Sequence, residues 1–289
     1  MKTLGQIFEE DAARVDSILS EEQFRHVLEG AAPVFREASI RDAVPWRVVD
    51  APHALKSRHV KVVDISAAEY RPSGTGGTFD RVDQSFTDLA VCRLLKNWEV
   101  PYLESITPGT GGISVLQETG QASGEKVGEL ENTMLVAGVG PNKGLTNATG
   151  IQTFASGGAW TTTGQAWKDF IKARGKLKTK KVPINNLAML VHPDDEANLL
   201  QVFADTSVLQ LETLQRYFPG GIHTSVDVTV GKAYVYAKIP QVLEYVVYQD
   251  LAVKPLPMVD EDPRGRTRVA GTYHTKRADG VCEITSVDT

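Results

Sequence analysis

Glycine recurs at every fourth position, Gly120, Gly124 and Gly128, inside a stretch that otherwise reads as one long helix. Ile113, Leu116, Gly120, Ser123, Val127, Leu130, Met134 and Ala137 fall on one stripe at three-four spacing, which predicts a helix over residues 113–137. Each interior glycine costs that helix about 1 kcal/mol relative to alanine. Three in line demand a cause: either another backbone comes very close to this face, or the helix has to bend. Glu118, Glu125, Lys126, Glu129 and Glu131 are interspersed, so a glycine zipper between membrane helices is excluded.

The segment before this helix is unusual in the opposite way. His59 to Ser66 reads as a strand with a bulge at Val62-Val63, and Phe79 to Phe86 alternates again. Between them Arg71-Pro-Ser-Gly-Thr-Gly-Gly77 is a turn-rich tip. The two runs carry many charges and few large apolar groups. A hairpin this poor in core residues cannot be a buried sheet; it is either a loose loop or an arm lying across a partner. Residues 1–30 place apolar side chains at mostly helical spacing, with a capping-box start at Ser20, and predict a short helical arm that must pack on the body or on a neighbour.

The rest alternates helix and strand signals. Residues 89–106 read as a strand region limited by Pro101, and 108–112 as a loop. Residues 160–177 read as a helix capped by Thr162 or Thr163, 186–191 as a short buried strand, and Pro193-Asp-Asp-Glu as the start of a helix reaching about Phe203. Strands are expected at 226–230, 232–237, 243–253, 264–276 and 281–287, the last two joined by Ala278-Asp-Gly280 as a tight hairpin turn. There is no fixed-period repeat.

Chemistry is hard to find. Gly138-Val-Gly-Pro-Asn-Lys-Gly144 lacks the Ser or Thr of a phosphate loop and follows a helix instead of preceding one, so it reads as a helix C-cap and tight turn with Gly138 left-handed. His192-Pro-Asp-Asp-Glu196 reads as a helix start with acids matched to the dipole, not a metal cluster. Cys92 and Cys282 form no zinc or disulfide pattern and are expected to be reduced thiols. No nucleophile elbow occurs. The run Lys176-Leu-Lys-Thr-Lys-Lys181 is read as the cationic end of the 160–177 helix in preference to a nucleic-acid contact. The net charge of −5 gives no bulk sign of a nucleic-acid binder. The N-terminus turns acidic without an apolar core, and no run approaches the length of a spanning helix, so a soluble protein made in the cytoplasm is expected, with no membrane partner.

The order of segments resembles the Hong Kong 97 fold of tailed-phage major capsid proteins. The likeness rests on the hairpin arm, the strand ending Trp98-Glu-Val-Pro101, the long helix, the glycine-rich turn with Gly144-Leu-Thr-Asn147, the strand Leu187-Ala-Met-Leu-Val-His-Pro193 and a final strand pair over 268–287. It implies an α+β chain with an N-terminal arm (1–46), an extended loop (47–88), a peripheral domain (89–185) holding the spine helix, an axial domain (186–254) and C-terminal strands returning to the peripheral domain (255–289). It also implies a structural subunit, not an enzyme, with no cofactor, no catalytic residue and no metal.

The implied partners are many copies of the chain in pentamers and hexamers, portal, scaffold or decoration proteins, and double-stranded DNA enclosed without sequence-specific binding. The implied location is the virion capsid, assembled in the host cytoplasm. Encapsulins, compartment shells of the same fold that hold cargo enzymes, are the alternative; there the N-terminal helix would bind cargo. On this likeness the extended loop would touch neighbours through Lys61, Arg71, Phe79, Arg81 and Phe86, with Trp46 at its base. Gly120, Gly124 and Gly128 would serve spine-helix bending or close packing, and Gly138, Gly140 and Gly144 the turn that follows. Lys56 and Lys61 lie near the loop without a surrounding motif, so covalent cross-linking is not expected.

Overall fold

The computed structural model describes residues 21–62, 84–101, 112–203, 208–259, 262–285 and 287. Two helices meet along the glycine line. The first, α1 (Glu21–Ala38), buries Val27, Ala31 and Phe35, spaced four apart so that they share one face. The second, α2 (Gly112–Val136), is the spine, within a residue at each end of the 113–137 expected. A Cβ added at Gly120 would lie 2.8 Å from the Val27 carbonyl oxygen, at Gly124 2.7 Å from that of Ala31, and at Gly128 2.9 Å from that of Phe35. Residue numbers rise together along both helices, so they run in the same direction with the backbone of α1 seated on the glycines. That approach is what the low helix propensity of the line permits.

Two sheets form the body. One has the order β1-β11-β12-β4, made of Trp46–Val48, Leu243–Val259, Asp262–Thr275 and Cys92–Glu99. The strands β11 and β12 form a long antiparallel pair with three register irregularities, and β1 joins β11 in parallel. The spine α2 packs against β4 and β12. The other sheet has the order β7-β13-β10-β8-β9, made of Gln152–Ala155, Val281–Thr285, Lys232–Ala237, Leu187–Val191 and Gly221–Thr224. Its strand β8 is fully apolar and every residue of it is buried, as a strand covered on both faces requires. Helix α3 (Gln165–Thr179) covers it with Ala166, Phe170, Ala173 and Leu177, and the short helices α4 (Pro193–Leu199) and α5 (Gln210–Tyr217) complete this half.

Several expectations are corrected. Ala278–Gly280 is not a hairpin turn. It is a single helical turn that carries the chain from one sheet into the other, because the Val242 carbonyl accepts the amides of Lys276 and Arg277 and ends the β12 ladder there. β13 then enters between β7 and β10, and the long terminal pair is β11 with β12. Each sheet draws on distant parts of the chain: β7 and α3 lie with β8 and β10, and β11 lies with β4. Residues 226–230 are turn, not strand.

Helix α3 begins at Gln165 behind left-handed Gly164 (φ 80°), not at Trp160 behind a threonine cap. The cause is Asp169, whose buried carboxylate accepts from Ser156, Trp160 Nε1 and Gln165 and folds 156–160 back as a loop. Helix α4 ends at Leu199, short of Phe203. The strand expected over 89–106 breaks at Val91, and its residues beyond 101 lie outside the described ones.

Candidate assembly surface

The break at Val91 is where the arm leaves the body. On one side, β3 (Gln84–Ala90) pairs with β2 (Lys56–Val62) from Lys56↔Ala90 to Val62↔Gln84. On the other, β4 pairs with β12. Among the described residues β2 and β3 pair with no other strand. A lone two-stranded hairpin is marginal in water, so this one lacks the contacts that would make it stable by itself. Its outer surface carries the Arg58–Asp88 ion pair at 2.9 Å, whose mutual hydrogen bond raises the arginine pKa and lowers that of the aspartate.

The root of the arm is fixed. Ser57, 2% exposed, lies 2.7 Å from His274 Nε2 and accepts the Tyr248 hydroxyl at 2.7 Å. The Ala90 carbonyl accepts Asn142 Nδ2 at 2.8 Å and the Thr272 hydroxyl at 3.1 Å. Asn142 belongs to the turn after the spine, built from the two-residue strands β5 (Gly138–Val139) and β6 (Asn142–Lys143). There Gly138 (φ 83°) and Gly140 (φ 61°) are left-handed, and a Cβ on Gly144 would strike the Val136 carbonyl. The turn returns amides of Leu145 and Thr146 to the spine carbonyls of Leu135 and Val136, satisfying acceptors that a helix end leaves free.

A second fixture holds α1. Glu131, fully buried in the spine, accepts Arg41 at 2.8 Å, the Tyr245 hydroxyl at 2.6 Å and the Ser39 hydroxyl. Arg41 also pairs with Asp250 at 2.8 Å, and its guanidinium lies 5.4 Å from the Trp46 ring centroid. Burial works against the Arg41 charge, but Glu131 outweighs it and the pKa is raised. Asp250 loses solvation too, yet its hydrogen bond from Arg41 leaves its pKa lowered. Burial, reinforced by Glu131, drives the Tyr245 hydroxyl well above its ordinary value. A cavity of about 370 Å³ opens between α1, β1 and β11, lined by Leu28, Phe35, Arg41, Trp46 and Leu251 among others.

Of the loop residues singled out in the sequence, Trp46 is 43% exposed on edge strand β1 beside this cavity. Lys61 stands opposite Ser85, and Phe86 opposite Val60, in the arm ladder. Arg71, Phe79 and Arg81 lie outside the described residues. Sequence reasoning missed Ser57, Tyr248, His274, Asn142 and the Arg41–Glu131 pair. None carries a local signal, since the partners are tens to hundreds of residues apart. Both cysteines are free, and burial pushes Cys282 up to about 11 and raises Cys92. Among the described residues no group of His, Cys, Asp or Glu is placed to hold a metal, and no helix is long and apolar enough to cross a membrane.

A family model described as phage capsid protein matches residues 110–281, more than half of the chain and the run from the spine through β12. The chain belongs to the phage capsid protein family. A phage capsid protein is a structural subunit, not an enzyme, and such shell proteins assemble from many copies of themselves. The fold is the α+β Hong Kong 97 type. Superposition on a virus-like particle from Pyrococcus furiosus gives a TM-score of 0.70 at 17% identity, covering 92% of this chain and 100% of that one. The capsid of Myoviridae phage XM1 gives 0.68 at 9% identity, covering 86% and 90%. In sequence, a ferritin-like-encapsulin shell fusion protein of Pyrococcus furiosus is 24% identical over 98 residues, 34% of this chain and 28% of that protein.

Proposed function

We propose that this capsid-family chain is the major capsid protein of a tailed-phage particle, closing into an icosahedral shell around double-stranded DNA. The observation that carries the reading is the arm: a two-stranded ladder clamped at its root, with no further strand beside it among the described residues. Such an element gains its stability on another copy. Lys61, Arg71, Phe79, Arg81 and Phe86 on the arm, and exposed Trp46 at its base, are the contacts assigned to that neighbour, with the aromatic groups supplying most of the energy. Many weak contacts of this kind sum across a closed shell, so each can stay reversible while the whole is stable. The glycine line lets α1 ride on the spine and lets the spine bend as a shell changes shape. By the likeness, the α2 half with the four-stranded sheet is the peripheral domain and the five-stranded half the axial one.

The encapsulin reading is kept because the Pyrococcus matches favour it. In it, the cavity between α1 and β11 would take a segment of a cargo protein. Electron microscopy of the purified protein, with an ultraviolet spectrum and a gel of its contents, separates the two. Closed shells rich in nucleic acid support the phage reading. Closed shells holding an enzyme support the compartment. A monodisperse monomer that stays so under crowding overturns both.

A further inference from the structure

The chain carries 31 Lys and Arg against 36 Asp and Glu, yet seven of those cations and one acid fall within residues 168–181. The acid, Asp169, is buried and faces inward onto Ser156 and Trp160. Lys168, Lys172, Lys178, Lys180 and Lys181 are exposed, and none of the seven cations forms an ion pair among the described residues. Lys172 and Lys176 place their ammonium groups 4.7 and 5.0 Å from the same ring, that of Phe154. A protein with an excess of acids thus places seven of its cations in one short stretch, without an ion-paired acid among the described residues.

The helix dipole accounts for only part of this. Lys176 and Lys178 sit in the last turn of α3, where the dipole favours them. Lys168 lies near the first turn, the positive end, where no acid is present. Lys168, Lys172 and Lys176 follow at four-residue intervals, about 6 Å apart along the axis. No large apolar side chain is fully exposed along the row, and the half-buried Phe154 ring lies beneath Lys172 and Lys176, so charge is what the row mainly offers. Repulsion within such a row is relieved by an equally regular row of anions, and duplex DNA carries one phosphate charge per about 1.7 Å of its axis.

We infer that the α3 row Lys168, Lys172 and Lys176, together with Lys178, Lys180 and Lys181 around the C-terminal end of the helix, docks the phosphate backbone of duplex DNA without reading its sequence. This goes beyond the phage reading and can fail without it, since a shell can enclose DNA that it never touches.

The test is fluorescence anisotropy of a labelled duplex of mixed sequence with the full-length, unassembled chain, titrated between about 50 and 200 mM salt. Four to six phosphate contacts predict a log–log salt slope of about −4 to −5. The variant K168E/K178E/K180E/K181E should lose at least about 100-fold in affinity. Reversal of Lys96, Lys126, Lys143 and Lys254, which removes the same net charge elsewhere, should change it less than about threefold. A quadruple Lys→Gln variant at the α3 positions, checked by circular dichroism, repeats the measurement in a chain with milder surface change. Equal losses in the two reversal variants, or a slope near zero, overturn the inference. Tighter binding of polyglutamate than of DNA also overturns it, in favour of an acidic protein partner.

Discussion

Replacing Gly120, Gly124 and Gly128 together by alanine tests the seating of α1 on the spine. Taken alone, the three changes should stabilise α2 by about 3 kcal/mol, because each removes an interior glycine. The structure reverses the sign. An added Cβ at Gly124 would sit 2.7 Å from the Ala31 oxygen and 3.0 Å from its Cβ. Carbon and oxygen in weak contact stand about 3.3 Å apart, so α1 must shift by roughly half an ångström or more. The obstruction at Gly120 and Gly124 includes backbone carbonyls, so no rotamer change relieves it.

Overpacking of this kind costs about 1–3 kcal/mol per site. Three sites at the middle of that range exceed the propensity gain by about 3 kcal/mol. The chain can limit the loss by lifting α1, which exposes Val27 and Phe35. Denaturant unfolding of the unassembled chain should therefore show lower stability, and hydrogen exchange should show lost protection across residues 21–38. A variant that unfolds later with α1 protection unchanged would refute the reasoning. If stability falls but shells still form and change shape as before, bending at the glycines is not needed for assembly.

Three further outcomes are expected. Arg41→Ala leaves Glu131 buried without its cation and should destabilise the chain by about 3–5 kcal/mol, whereas Arg47→Ala, whose cation is exposed, should cost under about 1 kcal/mol by the same denaturant assay. Acid should loosen α1 only at low pH. The folded pKa of Asp250 is depressed, so its contribution is full above the unfolded value of about 3.9 and fades as pH falls through the lower folded one. Exchange in residues 21–38 should rise over that window in the wild type and show a smaller pH response in Asp250→Asn. Trp46→Ala with Phe79→Ala and Phe86→Ala should abolish or slow shell formation, followed by light scattering, while the melting of the isolated subunit changes little. Loss of the subunit's own fold would assign those rings to internal packing instead.

Local pattern made the spine helix legible to within one residue, because its stripe and its glycines are features of consecutive positions. The buried strand β8 was legible for the same reason, being an uninterrupted apolar run between a basic loop and a proline. Pairing was not. Nothing in residues 264–287 distinguishes a hairpin from two strands assigned to different sheets; the decision rests on Val242, more than thirty residues upstream of Ala278. The clamps share that property. Ser57 and His274 are 217 positions apart, and Arg41 and Glu131 are 90 apart. Each residue alone resembles an ordinary polar group, and only the fold makes it a fixture.

A single residue, Val91, separates a strand that belongs to the arm from one that belongs to the body. With both sides of that junction tied down, the arm moves as a lever and not as a tether. Its seven-residue ladder extends about 23 Å. A tilt of the body by about 5° sweeps the far end of that ladder through about 2 Å, enough to take a side chain out of its contact. Any neighbour that seats the arm is thereby geared to the orientation of this subunit. A sheet of such units would relay a local change of curvature from one to the next, as meshed wheels relay a turn.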